Sequence, residues 1–87
     1  ETEISTVYPN PLGTENNARI TLAAKDNISL TLTNIMGKTV RAVAHGAYSA
    51  GTYDVPFSAS GLPSGVYYLL LQTDKGLRQS RQLMIVR

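Results

Sequence analysis

The sequence predicts an all-β fold, a seven-stranded antiparallel sandwich, from three observations. Leu62-Pro63-Ser64-Gly65 forms a tight corner that feeds at once into Val66-Tyr67-Tyr68-Leu69-Leu70-Leu71, an apolar run too short and too β-rich for a helix of ordinary length. Other segments alternate apolar and polar residues, most cleanly Ile28-Ser29-Leu30-Thr31-Leu32-Thr33. Gly, Pro and Asn punctuate the chain at short intervals, and no segment carries a helical period. Short strands at this spacing point to an immunoglobulin-like architecture.

The corner justifies its own place. Pro63 fixes φ and has no N–H, while Gly65 tolerates a positive φ that other residues resist. A continuous apolar run after it implies a strand covered at least partly on both faces, as in the middle of a sheet. The spacing Leu62-x-x-Gly65-x-Tyr67 fits a tyrosine corner, in which the Tyr67 hydroxyl bonds back to the backbone of the preceding loop. This stretch is expected to be structural.

The remaining elements follow in order. Residues 1–7 form a first edge strand or a linker, stopped by Tyr8-Pro9-Asn10-Pro11, whose two prolines hold the chain extended near polyproline II. Thr14 to Asn17 reads as a polar loop. Ala18 to Ala23 is a half-buried strand with Ile20 and Leu22 inward. After the Lys25-Asp26-Asn27 turn comes Ile28 to Thr33, and Asn34-Ile35-Met36-Gly37-Lys38 reads as a hairpin loop with Gly37 in the left-handed region. Thr39 to Ala44 returns as the partner strand, its alternation slipping at Val43, and a linker containing His45, Gly46 and Tyr48 follows. Gly51 to Phe57 puts Tyr53, Val55 and Phe57 on one side, and Pro56, which cannot donate to a ladder, means that the strand lies at an edge or has its N–H side free there. Asp74-Lys75-Gly76 is a second hairpin signal, and Leu77 to Val86 is the last strand. No repeat divides the chain, so residues 1–87 are one domain.

Composition narrows the function. An 87-residue chain buries only about 60–65% of the surface its unfolded form exposes. Eight Lys and Arg against six carboxylates leave a formal charge of +2, so basicity gives no nucleic-acid footprint. Cysteine is absent, which removes disulfides and thiolate metal sites. No apolar run reaches about 18 residues and no signal-peptide pattern occurs, so no direct membrane insertion is expected of this stretch. A start at Glu1 without Met suggests a piece of a longer polypeptide.

Catalysis needs titratable groups brought together or a nucleophile beside a base. The one histidine, His45, has no spacing that selects a triad partner and reads as an exposed loop residue. The carboxylates are spread over separate turns and strands, without the density of a calcium loop. The glycines form no phosphate cradle, and Asn27-Ile28-Ser29 matches a glycosylation triplet common by chance. No cofactor and no enzyme activity are expected. The C-terminus is more informative, because Arg78, Arg81 and Arg87 bracket Leu83-Met84-Ile85-Val86. That end reads either as a final strand with charges that discourage edge pairing, or as one offered to a receptor by strand addition.

Taken together, the pieces resemble the C-terminal sorting domain (type A) of the bacterial type IX secretion system. They are Tyr8-Pro9-Asn10-Pro11, the strand–turn–strand unit from Leu30 to Val43 around Gly37, Gly51-Thr52-Tyr53, Leu62-Pro63-Ser64-Gly65-Val66-Tyr67-Tyr68-Leu69, and Arg81-Gln82-Leu83-Met84-Ile85-Val86-Arg87. Members often carry Lys where this chain has Arg81 and Arg87. The structural positions the resemblance picks out are Pro9, Pro11, Gly37, Gly51, Tyr53, Leu62, Gly65 and Tyr67. It implies a seven-stranded sandwich at the C-terminus of exported cargo of a Bacteroidetes-type bacterium. It also implies recognition by the outer-membrane translocon and its shuttle components after transit through the periplasm. The resemblance implies further that a surface sortase-like cysteine peptidase usually removes the domain and leaves the N-terminal cargo at the cell surface or secreted. On this reading the last strand is the address, with Arg78, Arg81, Leu83, Met84, Ile85, Val86 and Arg87 as recognition residues. Two rivals stay open: a carbohydrate-binding or adhesive module, which needs Tyr8, Tyr48 and Tyr68 on one surface, and a fibronectin-type spacer.

Overall fold

Alternation along each strand sorts apolar side chains onto one face, and two such faces close on each other. The computed structural model describes residues 1–87 and contains seven strands: β1 (Glu3–Tyr8), β2 (Glu15–Leu22), β3 (Asp26–Asn34), β4 (Thr39–Tyr48), β5 (Gly51–Ser58), β6 (Gly65–Thr73) and β7 (Arg78–Ile85). They form a three-stranded sheet, β1-β2-β5, and a four-stranded sheet, β4-β3-β6-β7. Every pairing between strands is antiparallel. One core fills the space between the sheets, with Ile20 and Leu22 of β2, Leu30 and Leu32 of β3, Leu69 and Leu71 of β6, and Leu83 and Ile85 of β7 among its members. Removing a leucine side chain of this kind from water stabilises the fold by about 1.5–3 kcal/mol.

The corner strand lies where its composition requires. β6 sits between β3 and β7, so its backbone is paired on both sides. Leu69 and Leu71 are fully buried, while Val66, Tyr68 and Leu70 on the opposite face are half-buried by their neighbours. β5, which carries Pro56, is an edge strand of the smaller sheet, as is β1.

Four segments differ from the sequence reading, the shortest being Asp26-Asn27, assigned to a turn but already paired with Tyr48 and Ala47 as the start of β3. The linker around His45 is the second half of β4, whose pairing with β3 runs on to Asp26↔Tyr48. The slip at Val43 is a bulge, since Leu30 pairs with Ala44 and Thr31 with Ala42; a second bulge falls at Val40. Each extra residue swings its side chain inward, and both valines pack against the core. The loop assigned to Thr14–Asn17 already belongs to β2 from Glu15. Asn16 is buried there because its side-chain amide accepts from Gly13 N at 2.8 Å and donates to Gly13 O at 3.0 Å. Residues 9–11 bend, with both X–Pro bonds cis, in place of the extended segment. The bend brings Leu12 alongside β7, where Leu12 N donates to Met84 O at 2.8 Å.

Candidate recognition surface

β7 is an edge strand, yet its edge is not bare. Its outer neighbour is β1, the edge of the other sheet, and side chains stitch the two together. Gln79 Oε1 accepts from Ile4 N, and Arg81 Nη2 donates to Ile4 O at 2.8 Å. At the end of the strand Leu12 occupies Met84 O, which would otherwise accept from an added strand. Arg81 thus serves a seam of the sandwich.

Arg87 is also turned inward. Its Nε donates to Leu62 O at 2.7 Å and its Nη2 to Ala59 O at 2.6 Å, while its backbone N donates to Ser64 Oγ at 3.0 Å. The guanidinium fork therefore ties the end of the chain to the corner before β6. A planar fork reaches two carbonyls at fixed spacing, which a lysine ammonium does less well. Tyr67 completes this corner by donating its hydroxyl to Pro63 O at 2.7 Å, and Gly65 stands at φ +155° under the tyrosine ring.

The seven residues proposed from the sequence thus divide by position. Leu83 and Ile85 are core, and Arg81 and Arg87 bind backbone carbonyls of the domain itself. Met84 and Val86 are exposed apolar side chains. Arg78 is exposed and is the one arginine engaged in no hydrogen bond or ion pair, because Arg19 and Arg41 also have partners. The carbonyl partners of Arg81 and Arg87 lie far away in sequence, so no local pattern marked them.

Other surfaces are quieter. On the outer face of the smaller sheet Arg19 clasps Asp54 through bonds of 2.8 and 3.2 Å, and Tyr8 lies under the same guanidinium, 5.9 Å from ring centroid to carbon. The Arg19 hydrogen bond holds the Asp54 carboxyl below the usual carboxylate range, and Asp54 in turn raises Arg19. Ser5, Thr21 and Thr52 form a ladder of hydroxyls beside the pair. His45 is exposed on β4 at the rim of a shallow groove with Ser29, Gln72 and Asp74. The three tyrosines of the carbohydrate reading are dispersed: Tyr8 belongs to the smaller sheet, Tyr48 packs edge-on against Tyr53 at 5.1 Å, and Tyr68 lies on the outer face of the larger sheet. They make no common platform.

The family model of the secretion system C-terminal sorting domain matches residues 6–86, from within β1 to beyond the end of β7. The chain belongs to that family. It is a C-terminal sorting signal of type IX secretion, and its place is on a secreted or cell-surface protein exported across the outer membrane. No curated protein and no solved structure matches the chain. Within a sorting domain, the inward-turned arginines take on a definite meaning. They hold the last strand, β7, and Arg87 beyond it against the body of the sandwich.

Proposed function

We propose that this sorting domain is a non-catalytic address, read in its folded form by the type IX translocon and its shuttle components. Cargo on the N-terminal side of the same polypeptide passes through the periplasm and crosses the outer membrane. A surface sortase-like cysteine peptidase then cleaves the domain away and joins the cargo to anionic lipopolysaccharide. The observation that carries this reading is the family match over residues 6–86. Within the C-terminal strand, the contacts we assign to the machinery are the outward ones, Arg78, Met84 and Val86, because they face solvent. Leu83, Ile85, Arg81 and Arg87 act indirectly by fixing that strand. Side-chain reading is favoured over strand addition because Leu12 already occupies Met84 O.

The test is a fusion of residues 1–87 behind a reporter with a periplasmic signal peptide, placed in a type IX-competent host and in a translocon-deficient sibling. Surface reporter is expected in the first alone, no longer carrying the 9.4 kDa domain and running as lipopolysaccharide-conjugated species when the peptidase is present. Reporter retained in the periplasm of the competent host overturns the proposal. Deleting β7 is a poor probe, since it strips Leu83 and Ile85 from the core. Met84→Ser with Val86→Ser is sharper, and is expected to lower export while leaving thermal stability within about 2 °C, as exposed positions do.

A further inference from the structure

The domain is polarised from end to end. At one end lie the β3–β4 hairpin, the corner before β6, the last residues of β7 and the Leu12 bend, linked by Ala59 N to Thr14 O and by Arg87 to Leu62 O. The large apolar side chains left exposed in the molecule are Tyr8, Ile35, Met36, Met84 and Val86, and all five lie toward this end. Ile35 and Met36 are the extreme cases, 70% and 85% exposed at the tip of the hairpin. Charge is polarised too. Lys38, Arg41 and Arg87 gather at this end with Glu15 as its carboxylate, whereas Glu1, Glu3, Asp26 and Asp74 lie toward the other end beside Lys25, Lys75 and Arg78.

The tip is held stiffly although it touches no core. Asn34 Oδ1 accepts from Met36 N at 2.9 Å and Lys38 N at 3.0 Å, Gly37 N donates to Asn34 O at 3.0 Å, and Gly37 takes φ +83°. A turn fixed by side-chain and backbone bonds presents its apolar pair without further ordering, which is how a preformed loop gains affinity.

We propose that Ile35-Met36 with Lys38 is a docking plug, which enters an apolar cleft rimmed by carboxylates on a protein of the export machinery. The inference rests on the sorting-signal reading and adds a second contact to the outward residues of the C-terminal strand. A shaped protein cleft fits better than a lipid surface for two reasons. At the tip itself two adjacent side chains project, and Tyr8, Met84 and Val86 stand apart on or beyond the ends of β1 and β7, which leaves little continuous area for a membrane. The flanking guanidinium groups of Arg41 and Arg87 are pinned to carbonyls of Val40, Ser60, Leu62 and Ala59, so they offer charges at fixed positions and cannot reach for headgroups.

The experiment uses the same reporter fusion with Ile35→Ser/Met36→Ser, Lys38→Glu, Lys38→Arg, and Lys75→Glu at the opposite end. The double variant is expected to lower surface export at least about tenfold, as loss of a buried apolar anchor does. Lys38→Glu is expected to lower it as well, Lys38→Arg to restore it, and Lys75→Glu to leave it unchanged. The melting temperature of the isolated double variant should stay within about 2 °C of the parent; a larger fall would mean that the pair serves the fold, and would overturn the proposal. Wild-type export of the double variant overturns the docking plug alone. Failure of the unaltered chain to be exported overturns the sorting reading and the plug with it. Vesicles of phosphatidylethanolamine and phosphatidylglycerol supply the last arm: no binding is expected, and binding lost in the double variant would replace the protein cleft by a membrane.

Discussion

The chain builds the same corner twice. Tyr48-x-x-Gly51-x-Tyr53 opens β5 and Leu62-x-x-Gly65-x-Tyr67 opens β6, and each tyrosine donates its hydroxyl to the carbonyl four residues earlier, Ser49 O at 2.8 Å and Pro63 O at 2.7 Å. Each glycine has φ near +150°, +147° for Gly51 and +155° for Gly65, with the tyrosine ring 3.9 Å from where a Cβ would stand. That distance is an ordinary contact, so it is the backbone angle that reserves the position for glycine. The two differ in what surrounds them. Tyr67 and Leu62 are buried, the strand they start is paired on both sides, and Arg87 ties the loop down. Tyr53 and Tyr48 are half-buried, and their strand is an edge. A local motif sets the geometry of a corner, while burial sets how much the corner contributes.

Truncating the apolar residue that starts each motif should expose this difference most strongly. Leu62→Ala opens a hole under the β6 corner and is expected to destabilise by about 2–4 kcal/mol. Tyr48→Ala removes an edge-on contact with Tyr53 that is partly solvated, and about 1 kcal/mol is expected. Urea unfolding of the two variants checks the ranking, and equal losses would break the comparison.

A finer cut removes only the hydroxyls. Tyr67→Phe leaves the Pro63 carbonyl without its buried donor and should lower stability by about 1–3 kcal/mol. Tyr53→Phe frees a carbonyl that water reaches, so a loss below about 1 kcal/mol is expected. A neutral Tyr67→Phe would remove the tyrosine corner as a source of stability, whatever its geometry.

The corner before β6 was legible in the sequence because it packs its information into six residues, whereas the one before β5 showed only its Gly51-Thr52-Tyr53 spacing. The edge position of β5 was legible through Pro56, and the hairpin at Asn34–Lys38 through Gly37. What was hidden depended on partners far along the chain. His45-Gly46-Ala47-Tyr48 has weak strand propensity and read as a linker, but pairing with Asp26–Ser29 carries β4 through it. Val43 announced itself as a slip in alternation, and only the register identifies that slip as a bulge. Asn16 looked like one polar residue among several, and its burial rests on the backbone of Gly13. Arg81 and Arg87 read as terminal charges for the same reason: their acceptors, Ile4, Ala59 and Leu62, belong to other elements. The exposed pair Ile35-Met36 was plain in sequence as a turn, but its isolation from the core was not.

The two corners should also part company in acid, although the effect is the smallest of those considered. Asp54 follows Tyr53 directly on β5, and across the ladder it faces Arg19 of β2, so the ion pair helps hold the edge strand that carries the exposed corner. The Arg19 hydrogen bond keeps the Asp54 carboxyl below its ordinary value. A carboxyl lowered in the folded state contributes stability that is complete above its unfolded value of about 3.9 and fades as pH falls below it. Both partners are exposed, so salt screens the contribution and it stays small. Amide hydrogen exchange below about pH 4 should therefore quicken around Gly51–Tyr53 before it does around Gly65–Tyr67. Asp54→Asn, which has no proton to gain, should abolish that difference in pH response. If both corners loosen together in the parent chain, the acid response belongs to the whole sandwich, and the Arg19–Asp54 pair lends β5 nothing of its own.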